Sequence, residues 1–135
     1  VKPGVQAYLD RCRAAGERMI VLTSSVPAHC RAALGHLGLL PYFETIIFAH
    51  DLGIEKKNPE IYHLAARQLG VRESECTMFD DSVEALRGAK SAGMRTVGVA
   101  DPYFAREQDA LRAVCDRYIE SFEELLSPSS KGSAL

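Results

Sequence analysis

Short apolar runs alternate along this chain with segments that have helical periodicity. The apolar runs have the length and bounds of buried strands, and they lie at 19–22, 45–49, 76–79, 96–99 and 117–119. Outside them, apolar residues recur at helical spacing, as Val5, Tyr8, Leu9 and Cys12 do near the N-terminus. This alternation predicts an α/β fold: a doubly wound, Rossmann-like parallel sheet with helices on both faces.

Capping residues and prolines set the bounds of the predicted helices. Ser25 is expected to cap a helix that begins two residues later, and Asn58 is expected to cap a helix that begins at Pro59. The segment 50–57, which follows the second predicted strand, is expected to be a polar loop. A loop followed by a helix is expected over 102–115.

Composition indicates one ordinary globular domain. The chain has 135 residues, of which 47% are apolar and 25% are charged, and its net charge is −2. We expect a core domain over 1–126 and a flexible polar tail over 127–135. The lack of a basic surface argues against nucleic acid or a membrane as partner, and no apolar run reaches membrane-spanning length. Four widely spaced cysteines in apolar stretches favour free buried thiols and a cytoplasmic protein.

Polar side chains follow three of the predicted strands. Thr23 and Ser24 end the first strand, and the adjacent carboxylates Asp80 and Asp81 end the third. Lys56 follows the second strand, near the end of the polar loop. Because ligands of parallel sheets bind outside the carboxyl ends of the strands, we expect these side chains to face one crevice.

This set of groups suits a phosphate that is bound beside a divalent cation. Two adjacent carboxylates repel each other unless a cation lies between them, and Mg²⁺ takes oxygen ligands that include one or two carboxylates. A hydroxyl, backbone amides at a helix N-terminus and a lysine suit a phosphate group. The sequence therefore indicates phosphoryl-transfer chemistry, with Mg²⁺ at Asp80 and Asp81.

Each of these residues also has a purely structural explanation. Asp81 and Glu84 fit a capping box at the start of the next helix. Thr23 can simply begin a helix, and Lys56 and Lys57 can be solvated loop charges. The combination at three strand ends is what favours a functional site.

Three stretches resemble motifs of the haloacid dehalogenase superfamily of phosphohydrolases. Met-Ile-Val-Leu-Thr-Ser-Ser resembles the second motif, which implies that Thr23 and the amide of Ser24 hold the phosphate. Glu-Lys-Lys-Asn-Pro-Glu-Ile-Tyr resembles the third motif, Lys-Pro-x-Pro-x-x-Tyr, which implies a catalytic role for Lys56 in binding the phosphate. The next residue is a second lysine where the family has proline, so the choice between the two lysines stays open. Met-Phe-Asp-Asp-Ser resembles the fourth motif, which implies that Asp80 and Asp81 are ligands of Mg²⁺.

The family's first motif, Asp-x-Asp, does not occur in this chain. In the family it supplies the nucleophile that becomes an aspartyl phosphate, and it ends a strand between those that end here at Thr23 and Asp80. The resemblance covers residues 1 to about 124. It implies the C-terminal part of the core domain of a capped member, of the phosphoglycolate phosphatase or β-phosphoglucomutase type, without the first strand and cap.

The resemblance also implies what this chain lacks. We expect the intact parent to be a Mg²⁺-dependent hydrolase of a small phosphorylated metabolite, and this chain alone to be inactive. The missing strand is expected to leave a gap in the sheet, which the missing N-terminal segment or another copy of the chain would fill.

A non-catalytic signalling or binding module is the alternative. Receiver domains also place paired carboxylates, a hydroxyl and a lysine around Mg²⁺ on a doubly wound sheet, but there the acidic pair comes first and the lysine last. Here the order is Thr23, Lys56 and then the acidic pair. A stable acyl phosphate on this chain alone would favour the receiver-like module. A degenerate homologue that binds a partner through an open sheet is a third hypothesis.

Overall fold

The computed structural model describes residues 4–101 and 108–126, and it has the predicted α/β architecture. Its helices are α1 (Val5–Ala14), α2 (Pro27–His36), α3 (Ala49–Leu52), α4 (Pro59–Leu69), α5 (Val83–Ser91) and α6 (Gln108–Val114). Its strands are β1 (Ile20–Thr23), β2 (Thr45–Phe48), β3 (Thr77–Asp80), β4 (Arg95–Val99) and β5 (Arg117–Ile119). Single 3₁₀-helical turns lie at Leu40–Tyr42, Glu73–Glu75 and Phe122–Leu125. The predicted tail over 127–135, and the start of the segment predicted over 102–115, lie outside the described residues.

Parallel ladders join these strands into two sheets. β1 pairs with β2 in a register that matches Thr23 with Phe48, and β3 pairs with β4 in a register that matches Asp80 with Gly98. β4 also pairs with β5, so the second sheet has the order β3–β4–β5. The parallel strands confirm the predicted fold class, and they bring the carboxyl ends of neighbouring strands to the same edge.

Helices cover both faces of the strands, as a doubly wound fold requires. On one face, Met78 of β3 shares an apolar cluster with Ile61 of α4 and Ile20 of β1. On the other face, the ring of Phe79 lies 5.6 Å from the ring of Tyr8 in α1. Neighbouring residues of a strand point to opposite faces, so α4 and α1 lie on opposite sides of β3. Because the α4 cluster includes residues of both β1 and β3, the two sheets lie side by side.

The general right-handedness of β–α–β crossovers indicates which strand edges face each other. Arg31 of α2 lies 5.6 Å from the ring centroid of Phe48, whereas the neighbouring Ile47 packs in the α4 cluster. The crossover from β1 to β2 therefore runs over the opposite face from the crossover that leads from β2 to β3. Because such crossovers are right-handed, β1 is the strand of the first sheet that lies toward β3. No ladder joins β1 to β3 among the described residues.

Among the described residues, β1 and β3 each have one edge without a partner strand, and their burial reflects it. The four residues of each strand are only partly buried, whereas four of the five residues of β4 are buried. Strands inside a parallel sheet are normally buried on both faces and paired on both sides. This break between the two sheets lies where the family resemblance predicted a gap.

Two local predictions are wrong. The segment 50–57 is not entirely a loop, because α3 begins at Ala49, which therefore belongs to a helix rather than to the second strand. Ser25 does not cap α2, since Val26 is its N-cap residue and forms no side-chain hydrogen bond with the helix. The Thr23 hydroxyl instead accepts a hydrogen bond from the backbone N–H of Ser25 at 3.0 Å. The side chain of Thr23 itself therefore closes this turn.

The four cysteines are free thiols, and Cys12, Cys30 and Cys76 are buried. Burial raises the pKa of the Cys12 thiol to about 11 and also raises the pKa of Cys76. These thiols are therefore protonated at neutral pH and belong to the core. In the part of the chain that the structure describes, no helix is long and apolar enough to cross a membrane.

A buried polar network ties β5 to β4. Asp116 Oδ2 accepts hydrogen bonds from the N–H and the hydroxyl of fully buried Thr96, at 2.8 and 3.1 Å. Asp116 Oδ1 accepts from Lys90 Nζ at 2.8 Å. The hydrogen bond from Lys90, and those from Thr96, hold the pKa of Asp116 below its ordinary value.

We expect Asp116→Ala to lower the free energy of unfolding by about 1–3 kcal/mol at pH 7, because it leaves buried donors of Thr96 without an acceptor. Since the pKa is lowered in the folded state, this stabilisation is present above the ordinary carboxyl pKa of about 3.9 and is lost as the pH falls through the folded value. Urea unfolding of wild type and variant at several pH values measures the difference. The exposed Asp109→Ala is the control, and an equal loss in both variants would contradict the network.

Candidate active site

The acidic pair lies where β3 gives way to α5. Asp80 is the last residue of β3, and Asp81 precedes the N-cap residue of α5. That N-cap residue is Ser82, whose hydroxyl accepts a hydrogen bond from the N–H of Ala85 at 3.3 Å. The capping box that the sequence allowed for Asp81 and Glu84 is therefore not formed. Helix capping does not explain why a carboxylate stands at position 81.

Asp80 holds a fixed position between a backbone amide and a lysine. Its Oδ1 accepts from the N–H of Ser82 at 3.0 Å, and its Oδ2 accepts from Lys56 Nζ at 2.6 Å. Both partners are shielded from solvent, since the side chains of Lys56 and Asp80 are 19% and 11% exposed. This is a short, charge-assisted pair at the carboxyl end of the third strand.

The two adjacent lysines have different environments. Lys56 points to the strand ends, whereas the side chain of Lys57 is 61% exposed and pairs with Glu55 at 3.1 Å. The helix that follows begins as the sequence predicted, because the Asn58 side chain accepts from the N–H of Glu60 at 3.0 Å. Of the two lysines, Lys56 is the one whose ammonium contacts the acidic pair, and its functional role stays a prediction.

Asp81 stands among like charges. Burial, followed by the neighbouring carboxyl groups of Asp80 and Asp101, raises the pKa of Asp81 to about 6. Asp101 lies two residues beyond the last residue of β4, and it was not among the predicted site residues. The signal that could have found it is the one that found the acidic pair: a polar residue just after a strand of the parallel sheet.

A groove of about 610 Å³ joins most of the predicted residues. Ser24, Lys56, Asp80 and Asp81 all line it. Its other lining residues are Ala49, His50, Gly53, Ile54, Glu55, Lys57, Ser82 and Glu84. Thr23 is not a lining residue, and its hydroxyl is engaged in the turn with Ser25. The structure therefore brings Ser24, Lys56 and the acidic pair together in the groove, whereas Thr23 is not part of its lining.

A second cavity lies at the carboxyl ends of β3 and β4. It has a volume of about 270 Å³ and is lined by Phe79, Asp80, Asp81, Val99 and Phe122. The acidic pair therefore lines both cavities.

The acidic pair has the donor chemistry of a Mg²⁺ site but not a full set of ligands. Its carboxylate oxygens suit a hard cation, which would stabilise the charged form of Asp81 against the burial and the neighbouring carboxyl groups that raise its pKa. Across residues 4–101 and 108–126, however, no group of three or more His, Cys, Asp or Glu side chains is arranged to hold a metal ion. A complete site would need at least one further ligand.

The fold and this groove define an α/β protein with a lysine–carboxylate site at the carboxyl edge of a parallel sheet. The model of the haloacid dehalogenase-like hydrolase family matches residues 1–93, and the chain belongs to this family. The relationship predicted from the sequence motifs is thereby confirmed.

Relatives with known sequences and structures agree with this assignment. Protein CbbY of Cereibacter sphaeroides is 36% identical over 132 residues, which cover 93% of this chain and 54% of that protein. The fructose-1-phosphate phosphatase YqaB of Escherichia coli (strain K12) is 36% identical over 81 residues, or 60% of this chain and 43% of that protein. The crystal structure of CbbY from Rhodobacter sphaeroides in complex with phosphate superposes with a TM-score of 0.82 at 30% identity, over 92% of this chain and 55% of that chain. This chain therefore spans about half the length of these relatives.

Proposed function

We propose that this chain is the C-terminal part of the core of a Mg²⁺-dependent phosphohydrolase that acts on a small phosphorylated metabolite. The observation that carries the proposal is the shielded pair of Lys56 and Asp80, which opens onto the same groove as Ser24 and Asp81. A cation, a carboxylate cluster and a strand-end turn in one groove are the groups that phosphoryl transfer requires.

Each residue has a distinct role in this proposal. The amide of Ser24 and, through the turn that it closes, Thr23 hold the transferring phosphoryl group, and Lys56 offsets its negative charge. Asp81 would hold Mg²⁺ directly, and Asp80 would hold it or orient its water. Bound Mg²⁺ would supply charge neutralisation at the phosphate oxygens.

The nucleophile is proposed to come from a segment outside this chain. A carboxylate there would attack phosphorus, the bond to the leaving alcohol oxygen would break, and water would then hydrolyse the aspartyl phosphate. Neither Asp80 nor Asp81 suits that role, because one is paired with Lys56 and the other stands at the proposed metal. The chain alone is therefore expected to be inactive.

The substrate class is proposed from the relatives. YqaB is named as a fructose-1-phosphate phosphatase, and CbbY has been crystallised with phosphate. A groove of about 610 Å³ with both basic and acidic lining residues is consistent with a phosphorylated metabolite of sugar size.

Titration of this chain with inorganic phosphate and excess Mg²⁺, followed by amide NMR, tests the proposal. Shifts are expected first at Ser24 and Ser82. Lys56→Met should weaken phosphate binding about tenfold or more, which corresponds to about 1.4 kcal/mol, because it removes the shielded cation. Lys57→Met is the matched control and should weaken binding much less, because Lys57, although it also lines the groove, is exposed and paired with Glu55. Equal weakening by the two substitutions would contradict the proposed role of Lys56.

A further inference from the structure

The backbone of Lys56 lies directly against α5 at a glycine. A Cβ atom added to Gly88 would lie 2.5 Å from the carbonyl oxygen of Lys56 and 3.0 Å from the carbonyl carbon of Lys57. It would also lie 2.9 Å from Cε2 of Tyr62. Side-chain Cβ atoms do not come this close to backbone atoms, so the approach requires the absence of a side chain at position 88.

A buried tyrosine next to Gly88 holds the same peptide group by a hydrogen bond. Tyr62 is fully buried in α4, and its hydroxyl donates a hydrogen bond to the Lys56 carbonyl at 2.7 Å. Burial, and then the charge of Asp80, raise the pKa of Tyr62, so the hydroxyl stays protonated and remains a donor. The Lys56 carbonyl is thus fixed by one hydrogen bond and one close packing contact.

Lys56 is therefore held at both ends. Its carbonyl is held by Tyr62 and Gly88, and its ammonium is held by Asp80, which the N–H of Ser82 fixes in turn. A lysine side chain has about 2 kcal/mol of rotamer entropy to lose, so a fixed backbone is needed if the ammonium is to stay at one place. Nothing in the packing of α4 against α5 by itself requires a tyrosine hydroxyl at this point.

We propose that Tyr62 and Gly88 are positioning residues for Lys56, which fix its backbone so that the ammonium reaches Asp80 and an anion in the groove. This inference rests on the proposed role of Lys56. Neither residue touches the groove itself, since neither is among its lining residues. Both act on the chemistry through Lys56.

A double-mutant cycle in this chain separates positioning from simple packing. The coupling free energy between Lys56 and Asp80 is measured by urea unfolding with Lys56→Met and Asp80→Asn. The cycle is then repeated in the Tyr62→Phe and Gly88→Ala backgrounds, where we expect the coupling to fall to about half or less. A loss of overall stability with the coupling unchanged would show that both residues serve only in packing, and would overturn the proposal.

Matched controls are available for both substitutions. Tyr118→Phe also removes a buried hydroxyl, but that hydroxyl has no hydrogen-bond partner among the described residues. Gly35→Ala also adds a methyl group to a helix, at a position with nothing within 4 Å. Neither control should change the coupling between Lys56 and Asp80. If Gly88→Ala does not fold, the Tyr62→Phe cycle alone decides the outcome.

Phosphate titration distinguishes failure of this inference from failure of the proposed function. Tyr62→Phe should weaken phosphate binding several-fold in the wild-type background and should have no further effect when Lys56 is already Met. Equal weakening in both backgrounds would overturn the positioning role. If Lys56→Met leaves phosphate affinity unchanged, the proposed function fails, while the coupling cycle still tests whether Tyr62 and Gly88 position Lys56.

Discussion

An apolar peptide strand that ends in Asp-x-Asp is expected to stabilise this chain by several kcal/mol and to give it phosphatase activity. In the part of the chain that the structure describes, β1 and β3 each have one unpaired edge, and each ladder hydrogen bond formed there should contribute about 0.5–1.5 kcal/mol. The four partly buried residues of each strand would also lose contact with water. The peptide should therefore pair with both edges at once and join the two sheets.

The peptide strand would also place the carboxylates of its Asp-x-Asp in the groove. A parallel strand between β1 and β3 would end at the same edge as Thr23 and Asp80, beside Lys56 and Asp81. The first aspartate of the peptide could then act as the nucleophile, and the site would gain a further oxygen ligand for Mg²⁺.

Three synthetic peptides separate the structural effect from the chemical one. The first has about six apolar strand residues followed by Asp-x-Asp, the second ends in Asn-x-Asn, and the third has the first peptide's residues in scrambled order. The first two should raise the free energy of unfolding as the peptide concentration increases, by about 2.7 kcal/mol at a concentration of about 100 times the Kd. Only the first should support hydrolysis of p-nitrophenyl phosphate with Mg²⁺.

The oligomeric state of the chain is the second measurement in this test. Without a peptide, the open edges are expected to be covered by another copy of the chain, and the first peptide should return such oligomers to monomers. Analytical ultracentrifugation measures the change, and mass spectrometry checks the sample for a copurified peptide. A well-folded monomer of 14.8 kDa that hydrolyses the ester without any peptide would contradict both the open-sheet and the missing-nucleophile predictions.

The sequence was sufficient to predict the fold class and the main members of the groove. Strand bounds were predicted to within about one residue because short apolar runs bounded by polar residues leave little choice. Asn58 was predicted correctly as a helix cap because Pro59 fixes the first helical position after it. The expected position of the loop after the second strand at the carboxyl edge, together with the resemblance to the third motif, predicted that Lys56 lies near Asp80, at a sequence separation of 24 residues.

The errors have local and tertiary causes. Ser25 and Asp81 were each predicted to cap a helix. In both cases the N-cap is the next residue, Val26 and Ser82, because a helix boundary depends on the geometry of the preceding turn. Asp101 was missed because it lies beyond the strand, where it has no motif around it. Tyr62 stands at the tyrosine of the third motif, but neither it nor Gly88 could be given a role toward Lys56 until α4 and α5 were seen together.

Asp81→Asn is expected to abolish the response of this chain to Mg²⁺ and to stabilise it when Mg²⁺ is absent. In the metal-free protein, burial and two neighbouring carboxyl groups disfavour the charged form of Asp81. A pKa change from 3.8 to about 6 corresponds to roughly 3 kcal/mol. Because Asp81 is half-exposed, solvent screening should reduce the gain in free energy of unfolding to about 1 kcal/mol at pH 7.

The pH dependence of this gain identifies its cause. Since the folded pKa of Asp81 is raised, its favourable contribution is fully present below about pH 4 and is lost as the pH rises through about 6. In EDTA, the advantage of Asp81→Asn should therefore be absent near pH 4 and complete above pH 7, as measured by urea unfolding. Excess Mg²⁺ should reverse the order at pH 7, because it binds the wild-type carboxylates and stabilises only that protein by mass action. Asp51→Asn, which removes an exposed carboxylate in α3, should keep the full Mg²⁺ response, and an equal response in Asp81→Asn would show that the cation binds elsewhere.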